Sequence, residues 1–222
     1  MLGEQMNIIL ASASPRRKEI LENHFVYPII IPSETDETLP LHMEFKDVTE
    51  IVKYLAFNKA NAVFDFLYVA CNKIPNYKDI SSNPEVHKAC ELILSGEKVI
   101  ILGADTVVYK NSIIGKPKDE DDAFSILSSL RNTSHHVYTG VSMIEYNSEK
   151  HTELYEDTLV YFNDYSDEEI RRFIKEEPPY DKSGSYAIQS SWSKNVDRVE
   201  GDIENVIGLP WKKIEEYLNK MD

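Results

Sequence analysis

The sequence predicts an α/β protein, on three observations. Residues 7–21 pass from a short apolar run through a tight turn into a helix start. Residues 99–109 form an almost continuous apolar run, the pattern of a strand buried on both faces. Segments opening at Asp47, Asp119 and Ser166 carry helix-start signals, so helices alternate with strands.

The totals bound what such a chain does. Its 222 residues suffice for one domain of two lobes or for two small domains. A net charge of −14 argues against a nucleic-acid polymer or an anionic membrane surface as partner, but not against a small anion, which senses only its local pocket. No run approaches the ~20 apolar residues that span a bilayer, and Met1 to Met6 shows no basic region followed by an apolar one, so no signal peptide is expected. Two cysteines, Cys71 and Cys90, make neither a disulfide framework nor a zinc site, which points to a reducing, intracellular location.

Asn7 to Leu10 predicts the first strand. Ser14 suits a helix N-cap and Pro15 the first helical position. A helix N-terminus favours acids, yet this one carries Arg16, Arg17 and Lys18. Free backbone N–H groups, the hydroxyls of Ser12 and Ser14 and two guanidinium groups together suit a phosphate. The alternative is a solvated helix start that happens to be basic.

Val26 to Ile31 is β-branched and predicts a strand. The polar loop from Pro32 to Glu37 places three acids in four residues, solvated or serving as oxygen ligands for Mg²⁺ or Mn²⁺. Asp47 to Glu50 resembles a capping box, and the helix it opens buries Val52, Leu55, Ala56, Ala60 and Val63. Lys59 falls on that stripe, either snorkelling from the core or aimed at phosphate as a point charge. Residues 68–98 differ in texture and predict an insertion, an excursion from the main core with nothing catalytic in it.

In the run 99–109, Gly103 and Ala104 remove bulk and Asp105 then sets a carboxylate among apolar residues. Burial of an unpaired carboxylate is costly, so Asp105 must be paired, metal-bound or protonated. The small residues before it favour a functional role by letting a ligand approach, and a structural aspartate at a bulge is the alternative. A hairpin turn at 110–112 precedes Lys116, which sits between Gly115 and Pro117. A helix follows from near Asp119, with Ala123, Ile126, Leu127 and Leu130 on one face. His135 and His136 are adjacent on a predicted strand, so they face opposite ways and make a poor metal pair. Strands are expected to about Tyr146 and over 154–162. A capping box at Ser166 opens a helix that stops before Pro178. Residues 180–189 suit either a loop closing over a ligand or a surface turn, and Pro210 opens a last helix to about Lys220.

Together these pieces resemble the Maf family of nucleoside triphosphate pyrophosphatases. The matching blocks are Ser12-Ala13-Ser14-Pro15-Arg16-Arg17, Asp36-Glu37, Asn58-Lys59-Ala60, residues 103–108 (Gly103-Ala104-Asp105-Thr106-Val107-Val108), Gly115-Lys116-Pro117, Val137-Tyr138-Thr139-Gly140-Val141, residues 182–189 and Asn205-Val206-Ile207-Gly208-Leu209-Pro210. They stand in the family's order across nearly the whole chain. Two departures are the long 68–98 connection and Ser190, where the family usually has glycine.

The resemblance implies one domain over residues 1–222 with a mixed central sheet, flanking helices and two lobes around a cleft, similar to the inosine triphosphatase fold. It implies a cytoplasmic protein, a homodimer as in many members, and hydrolysis of a nucleoside triphosphate between the α and β phosphates with a divalent metal. Carried over residue by residue, Asp105 is the proton acceptor for the attacking water, Glu37 and Asp105 hold Mg²⁺ or Mn²⁺, and Arg16, Lys59 and Lys116 hold the triphosphate with a hydrogen bond from Ser12. The positions that separate the family's branches fall on Arg17, Thr106 and Gln189, a set resembling the branch acting on dTTP and UTP. The alternatives are hydrolysis of modified nucleotides such as 7-methyl-GTP, and a non-catalytic nucleotide-binding regulator of cell division.

Overall fold

A computed structural model describes residues 7–35, 38–40 and 43–220. Its strands are β1 (Asn7–Leu10), β2 (Ile29–Ile30), β3 (Val99–Lys110), β4 (Ser112–Ile114), β5 (Ser134–Glu145), β6 (Lys150–Phe162) and β7 (Val196–Glu200). Its helices are α1 (Pro15–Asn23), α2 (Val48–Asn72), α3 (Pro84–Leu94), α4 (Glu120–Leu130), α5 (Asp167–Glu176), α6 (Ile203–Ile207) and α7 (Trp211–Leu218). The strands hydrogen-bond in the order β2-β1-β3-β5-β6-β7, with β4 on β3, in parallel and antiparallel pairs. The expected mixed α/β sheet with helices is therefore the architecture found.

The chain divides into two compact units. Among the described residues, the first draws on Met1–Asp105, Gly140–Tyr155 and Trp211–Asp222, and the second on Thr106–Thr139 and Glu156–Pro210.

In the first unit β1 lies between β2 and β3, parallel to both, with Ile9 opposite Ile29 and Ile101. The strand expected over 26–31 shortens to two residues. Pro28 and Pro32 bound it, and neither can donate to a ladder. Val26 and Ile31 are nonetheless buried. Asp47 caps α2 by accepting from the N–H groups of Thr49 at 2.8 Å and Glu50 at 3.2 Å. The Glu50 carboxylate accepts from the Lys46 N–H, one residue before the cap, so the expected box is displaced by a residue.

Helix α2 runs to Asn72, well into the segment set apart as an insertion, and α3 lies wholly within that segment. Val86, Ala89, Cys90 and Ile93 fall on one face of α3, and all four pack with Ile9, Ile29, Leu67, Val99 and Ile101. The segment thus supplies part of this unit's core rather than leaving it. Helix α7 adds Trp211, Ile214 and Leu218, all buried.

Two glycines bring α2 onto the sheet. A Cβ at Gly103 would lie 2.3 Å from the Ala56 carbonyl oxygen, and one at Gly140 would lie 2.2 Å from the Val52 carbonyl oxygen. Val52, Ala56 and Ala60 are four residues apart, one row along the helix, so the glycines and this row let backbone press on backbone. Gly103 serves helix packing, not the bulge or ligand approach that its sequence context suggests. Gly140→Ala is expected to destabilise the fold by at least about 1–3 kcal/mol through overpacking against a backbone atom. A urea midpoint equal to that of the parent protein would show that α2 yields freely.

In the second unit β3 and β4 form a hairpin around Asn111, whose φ of 62° suits asparagine in a tight turn. Asp119 caps α4 through the Asp122 N–H. At α5 the capping box is complete, with Ser166 Oγ accepting from the Glu169 N–H at 3.2 Å and the Glu169 carboxylate accepting from the Ser166 N–H at 3.0 Å. Ile170, Phe173 and Ile174 pack with Leu127, Val137, Phe162 and Trp192. Strand β7, antiparallel to β6, and the short α6 have no counterpart in the sequence expectations. Three of β7's five residues are charged, so its apolar pattern is weak.

The two histidines behave as strand geometry requires. His135 is buried, 2.7 Å from the Tyr186 hydroxyl, and burial pushes its pKa down to about 3, so it is neutral. His136 is half-exposed and pairs with Asp157 at 2.8 Å. Cys71 and Cys90 are free thiols. Among the described residues no helix is long and apolar enough to cross a membrane.

Candidate functional site

The turn from β1 into α1 is built around Ser12, which is buried. Its Oγ accepts from the Ser14 N–H at 3.2 Å and from Arg17 Nη1 at 2.9 Å. Two donors fill the lone pairs of a hydroxyl, so the proton of Ser12 is directed at a further acceptor. Ser14 holds the N-cap position with extended backbone, but its own side chain makes no cap bond. Arg17 is only 9 % exposed, and Arg16, one helical step away, is half-buried. The two arginines thus differ in role at the outset: Arg17 contacts the turn itself.

Lys59 and Asp105 form the second grouping. Lys59 projects from α2 at the buried stripe, and Asp105 lies on β3 just beyond Gly103 and Ala104. The Lys59 ammonium donates to Asp105 Oδ1 at 2.5 Å, with the residues 8 % and 7 % exposed. The pairing answers the question that a buried carboxylate raises, and it joins residues that the sequence reading treats separately. It also rules out a lysine merely snorkelling to solvent. An ammonium has three N–H bonds, and one goes to Asp105.

Thr106, the next residue on β3, belongs to the second unit. It is half-buried, and its hydroxyl lies 2.9 Å from that of Thr139 on β5. Its carbonyl accepts from the Ser183 hydroxyl at 3.4 Å, and the neighbouring Gly184 N–H donates to the Gly115 carbonyl at 3.1 Å. The 182–185 turn therefore ties the backbone of Thr106 to the loop carrying Lys116. Lys116 and Gln189 are exposed in this unit, Gln189 in a turn closed by the Ser190 N–H on the Ala187 carbonyl. Ser190 has φ −87°, so no glycine is required there, and its hydroxyl accepts from the Trp192 N–H to cap the next turn.

Glu37, with Asp36, lies outside the described residues. Among the described residues no group of three or more His, Cys, Asp or Glu side chains is arranged to hold a metal. Asp105 offers a hard oxygen donor, which is the chemistry that Mg²⁺ or Mn²⁺ takes, and Mg²⁺ needs only one or two carboxylates when substrate phosphates complete its shell.

Sequence reasoning missed Thr139 and Asn205. Thr139 Oγ1 donates to the Asn205 carbonyl at 3.0 Å, and both residues are fully buried. Both stand in blocks that carry the family resemblance, but nothing local signals that their polar groups meet.

A dTTP/UTP pyrophosphatase of Alkaliphilus oremlandii is 39% identical over 207 residues, covering 93% of this chain and 92% of that protein. A dTTP/UTP pyrophosphatase of Bacillus cereus is 38% identical over 216 residues, covering 97% of this chain and 95% of that protein. The solved structure of the Staphylococcus aureus Ham1 protein aligns with 97% of this chain and 100% of that chain at 12% identity and a TM-score of 0.38, too low to establish a shared fold. The sequence model described as Maf-like protein matches residues 7–221. With that match running nearly end to end over the Ser12 turn and the Lys59–Asp105 pair, this chain belongs to the Maf family.

Proposed function

We propose that this chain hydrolyses dTTP and UTP to the nucleoside monophosphate and pyrophosphate. The observation that carries the reading is the buried Lys59–Asp105 pair at 2.5 Å, a carboxylate and a cation fixed together on packed elements. The two Maf relatives named dTTP/UTP pyrophosphatase support it.

In this reading Asp105 takes a proton from water as the water oxygen bonds to the α-phosphorus. The bond from that phosphorus to the α–β bridging oxygen breaks, and pyrophosphate leaves with the oxygen. Lys59 orients the Asp105 carboxylate and faces the charge that develops on the phosphates, as Arg16 and Lys116 do. Ser12, its oxygen already accepting from Arg17 and Ser14, donates its proton to a phosphate oxygen. Arg17 acts first by holding Ser12. A divalent cation held by Asp105 and Glu37 would supply Lewis-acid charge stabilisation on the phosphates. Arg17, Thr106 and Gln189 are the residues on which base selectivity rests. The same reading carries a homodimer and a cytoplasmic setting, the latter suited by the free thiols Cys71 and Cys90.

The test is kcat/KM over dTTP, UTP, CTP, GTP, ATP and 7-methyl-GTP with Mg²⁺ or Mn²⁺, following pyrophosphate and monophosphate. dTTP and UTP are expected to lead. Equal efficiency on all six, or a lead for 7-methyl-GTP, overturns the selectivity. Binding without turnover makes the chain a nucleotide-binding regulator instead.

A further inference from the structure

The 182–185 turn of the second unit holds two unfavourable features. Gly184 has φ 74° and Ser185 φ 62°, two left-handed residues in succession. Glycine adopts that conformation freely, but serine does so under strain. The Ser185 side chain is also fully buried, and its hydroxyl has no hydrogen-bond partner among the described residues. A turn free to relax would give up both, so its surroundings must hold it.

The next residue supplies the hold. Tyr186 leaves the turn extended, at φ −150°, with its ring buried against His135 and Phe162 at centroid distances of 5.5 and 4.9 Å. Its hydroxyl lies 2.7 Å from His135 Nε2 on β5, and a neutral imidazole and a phenol make this bond with either as donor. Phe162 ends β6, the neighbour of β5, so both contacts are on the sheet. Gly184 also presses on β3, where a Cβ would lie 2.7 Å from Val108 Cγ2.

The turn in turn grips two carbonyls. The Ser183 hydroxyl donates to that of Thr106 at 3.4 Å, and the Gly184 N–H to that of Gly115 at 3.1 Å. The Gly115 carbonyl and the Lys116 nitrogen share one peptide plane, so the second bond orients the plane from which Lys116 projects. We infer that His135 and Tyr186 are positioning residues, whose buried bond keeps the 183–185 turn left-handed and, through Gly184 and Gly115, holds the peptide of Lys116 in place. The inference rests on the proposed reading, in which Lys116 faces the charge developing on the phosphates. An apolar pair of the same shape would pack as tightly, but dispersion contacts let rings slide. A hydrogen bond fixes distance and direction, the precision that a group acting on a transition state needs.

The experiment measures kcat and KM for UTP, with thermal unfolding, in the parent protein, Tyr186→Phe, His135→Leu, His135→Gln, Lys116→Gln and the double variant Tyr186→Phe with Lys116→Gln. Tyr186→Phe keeps the ring and removes only the hydroxyl. Its kcat/KM is expected to fall by roughly tenfold, the scale of one hydrogen bond, mostly in kcat because Lys116 serves the developing charge. His135→Leu is expected to lose as much. His135→Gln brings an amide to the Tyr186 hydroxyl and is expected to recover most of the rate, which a role in packing alone would not do, since leucine suits a core better than glutamine. With Lys116→Gln already present, Tyr186→Phe is expected to lower kcat/KM by no more than about twofold, because the side chain through which the bond acts is gone. A folded Tyr186→Phe protein with parental kcat and KM overturns the inference and leaves UTP hydrolysis standing. A full tenfold loss that persists in the double variant overturns it as well. If Tyr186→Phe fails to fold, the two His135 variants decide the matter, and equal kinetics in both overturn the inference. A Lys116→Gln protein as active as the parent removes Lys116 from the proposed reading, and the inference falls with it.

Discussion

Asp105→Asn is expected to lower kcat/KM for UTP by about 10²–10⁴-fold, the usual cost of losing a general base. The amide has the shape of the carboxylate and its oxygen still accepts from Lys59, so the local geometry is kept while basicity is lost, at some cost in stability because the buried Lys59 cation loses its counter-charge. Asp105 is 7 % exposed and sits in a strand lined by apolar residues, so no neighbouring bulk water takes over the proton readily. If Asp105 also holds a divalent cation, as proposed, the loss is larger and is accompanied by weaker metal dependence. Pyrophosphate release measured at saturating and limiting UTP, with circular dichroism as the check on folding, gives the answer. Near-normal turnover by the folded variant would remove Asp105 from the chemistry.

Lys59→Met is expected to destabilise the protein by about 3–5 kcal/mol, because it leaves the Asp105 carboxylate buried without its cation. In a chain of this size that corresponds to a melting temperature lower by on the order of 10 °C. The sign is informative. Methionine is apolar and fits a helix, so a lysine that only covered the core with its stem would tolerate the change or gain from it. The double variant Lys59→Met with Asp105→Asn is expected to recover most of the stability, since both charged partners are then gone. A single variant as stable as the parent protein would show that the 2.5 Å contact contributes little to folding.

Arg17, Gly103 and Thr139 show where sequence reading stops. The position of Arg17 in a basic first helical turn suggests an anion or a base as its partner. In the structure its guanidinium reaches Ser12 five residues back, across a turn whose path no spacing rule specifies. Gly103 next to a buried aspartate suggests room for a ligand, and the room is taken by the backbone of α2 at Ala56. Thr139 stands in a strand where a threonine is unremarked, and only the approach of Asn205, 66 residues on, gives its buried hydroxyl a partner.

What the amino-acid sequence determined by itself is what one helical turn or one strand can encode. The complete capping box at Ser166 and Glu169, the proline start of α1, the opposed faces of His135 and His136 and the apolar face of α2 all depend on neighbours within about four residues. Backbone geometry at that range is nearly fixed, so residue type and spacing suffice. Only the tertiary structure decided which polar groups meet. It set Lys59 against Asp105 across 46 residues of chain, drew α3 into the core, and linked Thr106 through Thr139 to Asn205. The physical reason is that a buried charge or hydroxyl must find a partner, but desolvation demands only that one exist, and packing alone selects which.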